Sequence, residues 1–281
     1  MFAVTDHYAV FGNPIAHSKS PEIHAAFARQ TEQSLRYTAE CPPIDGFPAA
    51  VTAFFEHGGR GCNITVPFKL EAANIADDIS ELAQRGGAIN TLIKTDDNRI
   101  RGHNTDGVGL VRDLQSRQGV VLEGKRVLII GAGGAVRGVL QPLLNANPQS
   151  ILVANRTCAK ATSLAARFAD LGNIAGCGLD DIDSAPFDLI INGTSTGLDG
   201  DVPTVPASCV HNAHCYDMFY GSQDTAFVTW CKRQGAAHAA DGLGMLLEQA
   251  AESFALWRGV QPAVDPVLES IRAATRAGPI N

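Results

Sequence analysis

Apolar and polar positions follow two rhythms along this chain. Short apolar runs of strand length occur at YAVFG (8–12), RYTAE (36–40), GCNITV (61–66), INTLIKT (89–95), RVLIIG (126–131), SILVAN (150–155), FDLIIN (187–192) and HCYDMF (214–219). Between them, segments such as SPEIHAAFARQT and KATSLAARFADL repeat their apolar positions at helical spacing. Strand and helix patterns that take turns from end to end predict an α/β protein with largely parallel sheets. No internal repeat or low-complexity tract interrupts them. The stretch from about Gly109 to Ala240 has its own rhythm and opens on RVLIIGAGGAVRGVLQPLL, like the first unit of a nucleotide-binding domain. The last long helical pattern, GLGMLLEQAAESFALWRGV, carries Met245, Leu246, Gln249, Ala250 and Ser253 close to one face and is expected to pack back on the first domain. The expectation is two α/β domains, a discontinuous one over 1–108 plus 242–281 and one over 109–241, with Gly107, Gly109, Gly242 and Gly244 where the chain crosses.

Composition narrows the partners. With 281 residues, 45% of them hydrophobic, the chain is long enough for one or two ordinary cores. A net charge of −7 argues against nucleic acid or an anionic membrane, since both need a basic field. A small anionic ligand needs only local positive charge. No run of 18 apolar residues occurs, and MFAVTDHYAVFG lacks the basic start and cleavage site of a signal peptide, so a soluble cytoplasmic protein is expected. Seven cysteines with no C-x-x-C pair suit reduced, mostly buried thiols better than disulfides or zinc, and no metal is expected.

Five stretches carry chemistry. In IIGAGGAVRG, Gly131, Gly133 and Gly134 follow an apolar strand and precede a helix, where backbone N–H groups and the helix dipole can receive a pyrophosphate. The alternative is glycines that only permit tight packing. The next strand ends in Asn155, Arg156 and Thr157, where an NAD-binding domain usually offers an acid to the ribose. Arg156 and Lys160 instead suit a 2′-phosphate, which favours NADP, unless Thr157 is a plain helix cap and Arg156 a solvated surface residue. In NITVPFK, Pro67 suits the first position of a helix, which would put Lys69 near a positive dipole end that lowers an ammonium pKa. An exposed surface lysine is the alternative. Asp106 in GHNTDGVG either caps the following helix or sits beside Lys69 and tunes it. Finally, HSKSPEIH reads as Ser20 in the N-cap and Pro21 as first helical residue, leaving helix N–H groups near the hydroxyls of Ser18 and Ser20 for an anion.

Taken together, FGNPIAHSKSP, NITVPFK, AINTL, GHNTDGVG, GAGGAVRGVL, NRT, CYDMFY and DGLGMLLEQAA resemble the shikimate dehydrogenase family, in unbroken order from about Tyr8 to Pro266. The resemblance implies a substrate domain with a mainly parallel sheet, a Rossmann-like NADP-binding domain and a cleft between them, where 3-dehydroshikimate and shikimate are interconverted by hydride transfer. It implies that Lys69 is catalytic with Asp106 as partner. By the same resemblance Ser18 and Ser20 hold the substrate carboxylate, and Thr65, Asn90, Asp106, Tyr220 and Gln249 surround the rest of the substrate. Gly131, Ala132, Gly133, Gly134 and Ala135 match the pyrophosphate turn, and Asn155, Arg156, Thr157 and Lys160 the adenosine phosphate clamp. Met218, Gly242 and Thr194 match positions beside the nicotinamide, and Glu81 an acidic position assigned to cofactor contact. Two departures stand out: His103 where members often carry Asp or Tyr, and Gly193 where Ala is commoner. Two other readings stay open, a broader quinate/shikimate dehydrogenase and a non-catalytic sensor of pathway intermediates. A homodimer stays open too.

Overall fold

The computed structural model describes residues 5–194 and 201–277. The ends of the expected first domain (1–4 and 278–281) and STGLDG (195–200), which completes INGTSTG, lie outside the described residues. The chain divides into two compact units, Met1–Gly109 with Leu247–Asn281, and Leu110–Leu246.

The first unit runs β1 (Asp6–Phe11), α1 (Ser20–Gln30), β2 (Leu35–Glu40), α2 (Phe47–Glu56), β3 (Gly59–Ile64), β4 (Asp78–Ile79), α3 (Glu81–Gly86), β5 (Thr91–Lys94), β6 (Ile100–His103) and the start of α4 (Asp106–Ser116). Its sheet has the order β2-β1-β3-β5-β6-β4. The pairings of β1 with β2 and β3, and of β4 with β6, are parallel, but β5 runs antiparallel to β3 and β6. The cause is local: β5 and β6 are joined by Thr95–Arg99, with Asn98 at φ 65°, and so short a connection makes only an antiparallel pair. Phe11, Phe47, Phe55, Ile64 and Phe68 form the buried core on one face.

The second unit begins within α4 and continues as β7 (Arg126–Ile130), α5 (Gly134–Asn145), β8 (Ser150–Asn155), α6 (Cys158–Ala166), β9 (Ile174–Gly178), β10 (Leu189–Asn192), α7 (Ala207–Val210), β11 (His214–Asp217), α8 (Ala226–Arg233) and β12 (His238–Ala240). Its order, β12-β11-β10-β7-β8-β9, is all parallel and reverses direction between β7 and β10, as in doubly wound dinucleotide-binding sheets. Val127 and Ile129 face one buried cluster, Leu128 and Ile130 the other, so the apolar run RVLII is what a strand covered on both faces requires. The chain then enters α9 (Leu243–Arg258), whose residues from Leu247 onward belong to the first unit, and ends in α10 (Asp265–Ala277).

Sequence and structure part company in particular places. Strands β4, β6, β9 and β12 have no counterpart in the apolar pattern, because DI, IRGH, IAGCG and HAA offer too few apolar or β-branched positions to signal themselves. Helix α1 opens at Ser20 itself, so Lys19 occupies the N-cap position and no side chain caps the helix. No helix begins at Pro67: residues 66–70 form turns, followed by a single 3₁₀ turn, Glu71–Asn74. The dipole argument for Lys69 therefore falls.

Candidate active site

In the first unit, the carboxyl end of β3 feeds a turn closed by Phe68 N–H donating to the Thr65 carbonyl (2.9 Å). Phe68 is buried and stacks on Phe47, with centroids 4.3 Å apart, which anchors the turn from below. Lys69, next in the chain, is thereby aimed at Asp106, and its Nζ donates to Asp106 Oδ2 at 2.5 Å. Both side chains are nearly out of solvent, at 12% and 5% exposure. A buried ion pair survives only when its remaining valences are satisfied. Here Asn90 Nδ2 donates to Asp106 Oδ1 (2.9 Å), and Asn104 Oδ1 accepts from the Asp106 backbone N–H (3.0 Å). Asn104, and not Asp106, thus takes up the free amide at the start of α4, so the carboxylate is left for Lys69.

Asn90 is the junction of this site. Its amide also reaches Thr105 Oγ1 (2.9 Å) and Gln249 Oε1 (3.3 Å), while its Oδ1 accepts from the Thr105 N–H (2.9 Å) and the Thr91 hydroxyl (2.8 Å). Behind it lies a set of polar residues that the sequence did not single out for function. Ser253 Oγ lies 2.8 Å from Thr91 Oγ1 and 3.1 Å from Thr105 Oγ1, and accepts from Asn63 Nδ2 (3.0 Å). Asn63 Oδ1 accepts in turn from the Tyr37 hydroxyl (2.7 Å). The available signal was polarity out of place: Asn63 interrupts an apolar strand, and Ser253 sits one helical turn beyond Gln249.

Tyr37 stacks on His24, with centroids 4.2 Å apart and planes 7° from parallel. His24 is fully buried and neither ring nitrogen has a hydrogen-bond partner. Burial pulls its pKa down to about 3, only partly offset by the nearby Asn63 amide. One turn earlier on α1, Ser20 is buried while Ser18 is half-buried, and Ser20 N–H donates to Ser18 Oγ (3.3 Å). Lys19, between them, turns outward to Glu22 (3.4 Å). Thr65 is half-buried, and its hydroxyl has no protein partner among the described residues. His103, at the end of β6, is half-buried, and burial followed by the Arg101 charge lowers its pKa, so it stays neutral at neutral pH. Glu81 is the exposed first residue of α3.

In the second unit, Gly131 directly follows β7 with φ 110°, a left-handed conformation that a side chain would strain. Gly133 is the N-cap of α5; no side chain caps that helix, and the space a Cβ would take at Gly133 is open. The first amides of α5 are therefore accessible to an anion. At the end of β8, Asn155 Nδ2 donates to the Thr157 carbonyl (3.0 Å). Thr157 is the N-cap of α6 by position, but its side chain makes no capping bond. Arg156 and Lys160 are exposed and have no carboxylate partner among the described residues. Uncapped amides beside two unpaired cations fit a dinucleotide that carries an extra phosphate.

Past the ends of β10, β11 and β12, Met218 lies against both Gly193 and Gly242, and Thr194 follows Gly193 beside Gly131. A Cβ on Gly242 would lie 2.5 Å from the Met218 carbonyl oxygen, so only glycine allows that approach. The glycine at 193 has a similar cause, since a Cβ there would lie 2.5 Å from Val136 Cγ2 and 3.1 Å from Met218 Sδ. Tyr220 follows and lies beside Phe219, with centroids 6.1 Å apart. Among the described residues no cluster of His, Cys, Asp or Glu is arranged to hold a metal, and no helix is long and apolar enough to cross a membrane.

These features define a two-unit α/β protein with a doubly wound dinucleotide-binding unit and a lysine–carboxylate site in the other. Family profiles sharpen this: "Shikimate dehydrogenase substrate binding domain" matches residues 10–92, "Shikimate / quinate 5-dehydrogenase" 113–198, and "Shikimate 5'-dehydrogenase C-terminal domain" 242–272. The chain belongs to the shikimate dehydrogenase family. It is 53% identical over 270 residues to the shikimate dehydrogenase (NADP(+)) of Cellvibrio japonicus, covering 96% of this chain and 98% of that one. It is 54% identical over 270 residues to that of Alkalilimnicola ehrlichii, covering 96% and 99%. Among solved structures it resembles an Ael1 enzyme from Pseudomonas putida (TM-score 0.87, 44% identity, 95% and 98% coverage). It also resembles shikimate 5-dehydrogenase of Thermus thermophilus in complex with NADP(H) and shikimate (TM-score 0.84, 32% identity, 96% and 100% coverage).

Proposed function

We propose that this chain catalyses the reversible NADPH-dependent reduction of 3-dehydroshikimate to shikimate. The observation that carries this reading is the buried Lys69–Asp106 pair, joined to Asn90 and Gln249, in a chain of this family. When a ring ketone becomes an alcohol, negative charge grows on oxygen, and a positioned donor must stabilise it and deliver a proton. Lys69 is that donor. Asp106 holds the ammonium in place, and in the oxidative direction the same pair takes the proton back. NADPH, when bound, supplies the hydride.

Ser18 and Ser20, with the uncapped start of α1, receive the substrate carboxylate. Thr65 offers the hydroxyl it does not use elsewhere, and Asn90, Gln249 and Tyr220 complete the set around the ring. In the second unit Gly131 to Ala135 take the pyrophosphate, and Asn155, Arg156, Thr157 and Lys160 take the 2′-phosphate end. Thr194, Met218 and Gly242 flank the nicotinamide. Glu81 is an outlying contact to the cofactor. The setting is cytoplasmic, a reading supported by seven free thiols.

The test is a matrix of shikimate or quinate against NADP or NAD, followed by NADPH absorbance. Turnover is expected with shikimate and NADP. Equal use of NAD would overturn the clamp at Arg156, equal use of quinate would make the enzyme a broader quinate/shikimate dehydrogenase, and no turnover with any pair would make the protein a binding module.

A further inference from the structure

Two fully buried polar side chains stand at the carboxyl edge of the second sheet, Asn192 at the end of β10 and Asp217 opposite it at the end of β11. The parallel ladder between the strands is complete without them. Their own bonds reach past it into the loops. Asn192 Nδ2 donates to Asp217 Oδ1 (3.1 Å), and Asn192 Oδ1 accepts from the backbone N–H (3.1 Å) and hydroxyl (2.7 Å) of Thr194. Asp217 Oδ1 also accepts from the Phe219 N–H (3.1 Å), and its Oδ2 from the Thr225 hydroxyl (2.6 Å). Thr225 in turn caps α8 by accepting from the Val228 N–H (3.2 Å). Gly242 closes the set, its N–H donating to the Phe219 carbonyl (2.9 Å).

An ionisable group buried without a cation is costly, and an apolar pair of similar size would join two strands more cheaply. Burial raises the Asp217 pKa, and hydrogen bonds from Thr225, Phe219 and Asn192 counter that rise. What the carboxylate gains for its cost is a single point that fixes three loops at once. Resting on the cofactor placement proposed above, we propose that Asn192 and Asp217 are positioning residues for the nicotinamide half of NADPH, acting through Thr194, Met218 and Gly242. The adenosine half, at the ends of β7 and β8, does not depend on them.

The test uses the full chain with Asp217→Asn, and with Thr225→Val as a milder variant that removes one hydroxyl from the same carboxylate. Binding of NADPH is compared with binding of 2′,5′-ADP, which carries the adenosine phosphates but no nicotinamide. The Kd for 2′,5′-ADP should hold within about twofold, while that for NADPH rises about tenfold, the scale of one lost charge-assisted hydrogen bond. In turnover, kcat should fall by a similar factor with KM for shikimate unchanged, since a small misplacement of a reacting ring slows the step without touching the other substrate. Unchanged NADPH affinity and kcat would overturn the proposal. So would a parallel loss of 2′,5′-ADP affinity, which would make the pair merely structural. If the variants show the split in binding but the unmodified protein reduces no 3-dehydroshikimate, the proposed reaction fails and the positioning role stands.

Discussion

The two units of the chain build their proposed sites on opposite principles. In the first unit the chemical groups are already engaged with one another: Lys69 with Asp106, Asp106 with Asn90, Asn90 with Thr91, Thr105 and Gln249. In the second, the adenosine end presents uncapped amides and two unpaired cations on the surface. A proton-transfer group has to be aimed to within a fraction of an ångström before substrate arrives, and burial with paired bonds provides that. A phosphate clamp needs charge and free donors, and any partner of its own would compete with the ligand. Substitutions in the first unit should therefore disturb rate and stability together, and those at the clamp should disturb affinity alone.

The largest effect should come from Lys69→Ala. Steady-state kinetics should show kcat lower by about 10² or more, the usual scale for a lost acid–base group, with modest change in KM. Removing the ammonium also strands the Asp106 carboxylate at 5% exposure, so a fall in thermal midpoint should accompany the loss of rate. Near-normal turnover would break the comparison at its first term.

The next effect is on stability alone and comes from His24. Its folded pKa of about 3 lies below the ordinary value of 6.5, so the native state keeps the ring neutral while the unfolded chain takes up a proton as pH falls. The stability this group contributes is complete above pH 6.5 and is lost as pH drops towards 3. At pH ~5 the loss is about 2 kcal/mol, from roughly 1.4 kcal/mol per pH unit. His24→Phe keeps a ring against Tyr37 and removes two unpartnered nitrogens, so denaturant unfolding should show the acid-side slope flattened by about that amount. An unaltered slope between pH 6.5 and 5 would mean that the buried layer beneath the serines tolerates a charge.

The same contrast decides how much was legible in the sequence. The clamp and the pyrophosphate turn are local: glycines straight after an apolar strand, and Arg156 and Lys160 within one helical turn of the next. Short-range rules suffice for such features, and the strands that carry them, β7 and β8, match RVLIIG and SILVAN closely. The buried site is assembled across the chain, with Lys69 and Asp106 separated by 37 positions, Asn90 and Gln249 by 159, and Asn63 and Ser253 by 190. Motifs carried by resemblance point to Lys69, Asp106, Asn90 and Gln249, but the supporting Tyr37, Thr91 and Thr105 have no local signature, and Asn63 and Ser253 show only as polar residues out of place on apolar elements. Local rules also misled. Pro67 has the chemistry of a first helical residue, yet the packing of Phe68 on Phe47 holds a turn there. Ser20 has the chemistry of a cap, yet α1 takes it in as its first residue, and helix ends defined by weak local preferences shift by one position readily.

At the clamp, Arg156→Ala should raise KM for NADPH by about tenfold, as for loss of a bidentate contact to phosphate, and leave KM for shikimate and the thermal midpoint nearly unchanged. Because the side chain is exposed and unpaired, nothing in the fold is orphaned by its removal. Lys160→Ala should do the same more weakly, a few-fold at low salt, since a single ammonium on the first turn of α6 acts as a screened point charge. Raising the ionic strength separates the two. The Lys160 effect should fade over about 0.1 to 0.5 M salt as the screening length shrinks below the reach of an unpaired charge, while the hydrogen-bonding part of the Arg156 effect persists. If both effects vanish together, Arg156 contributes charge and no geometry, and the clamp is a diffuse positive field in place of a built phosphate site.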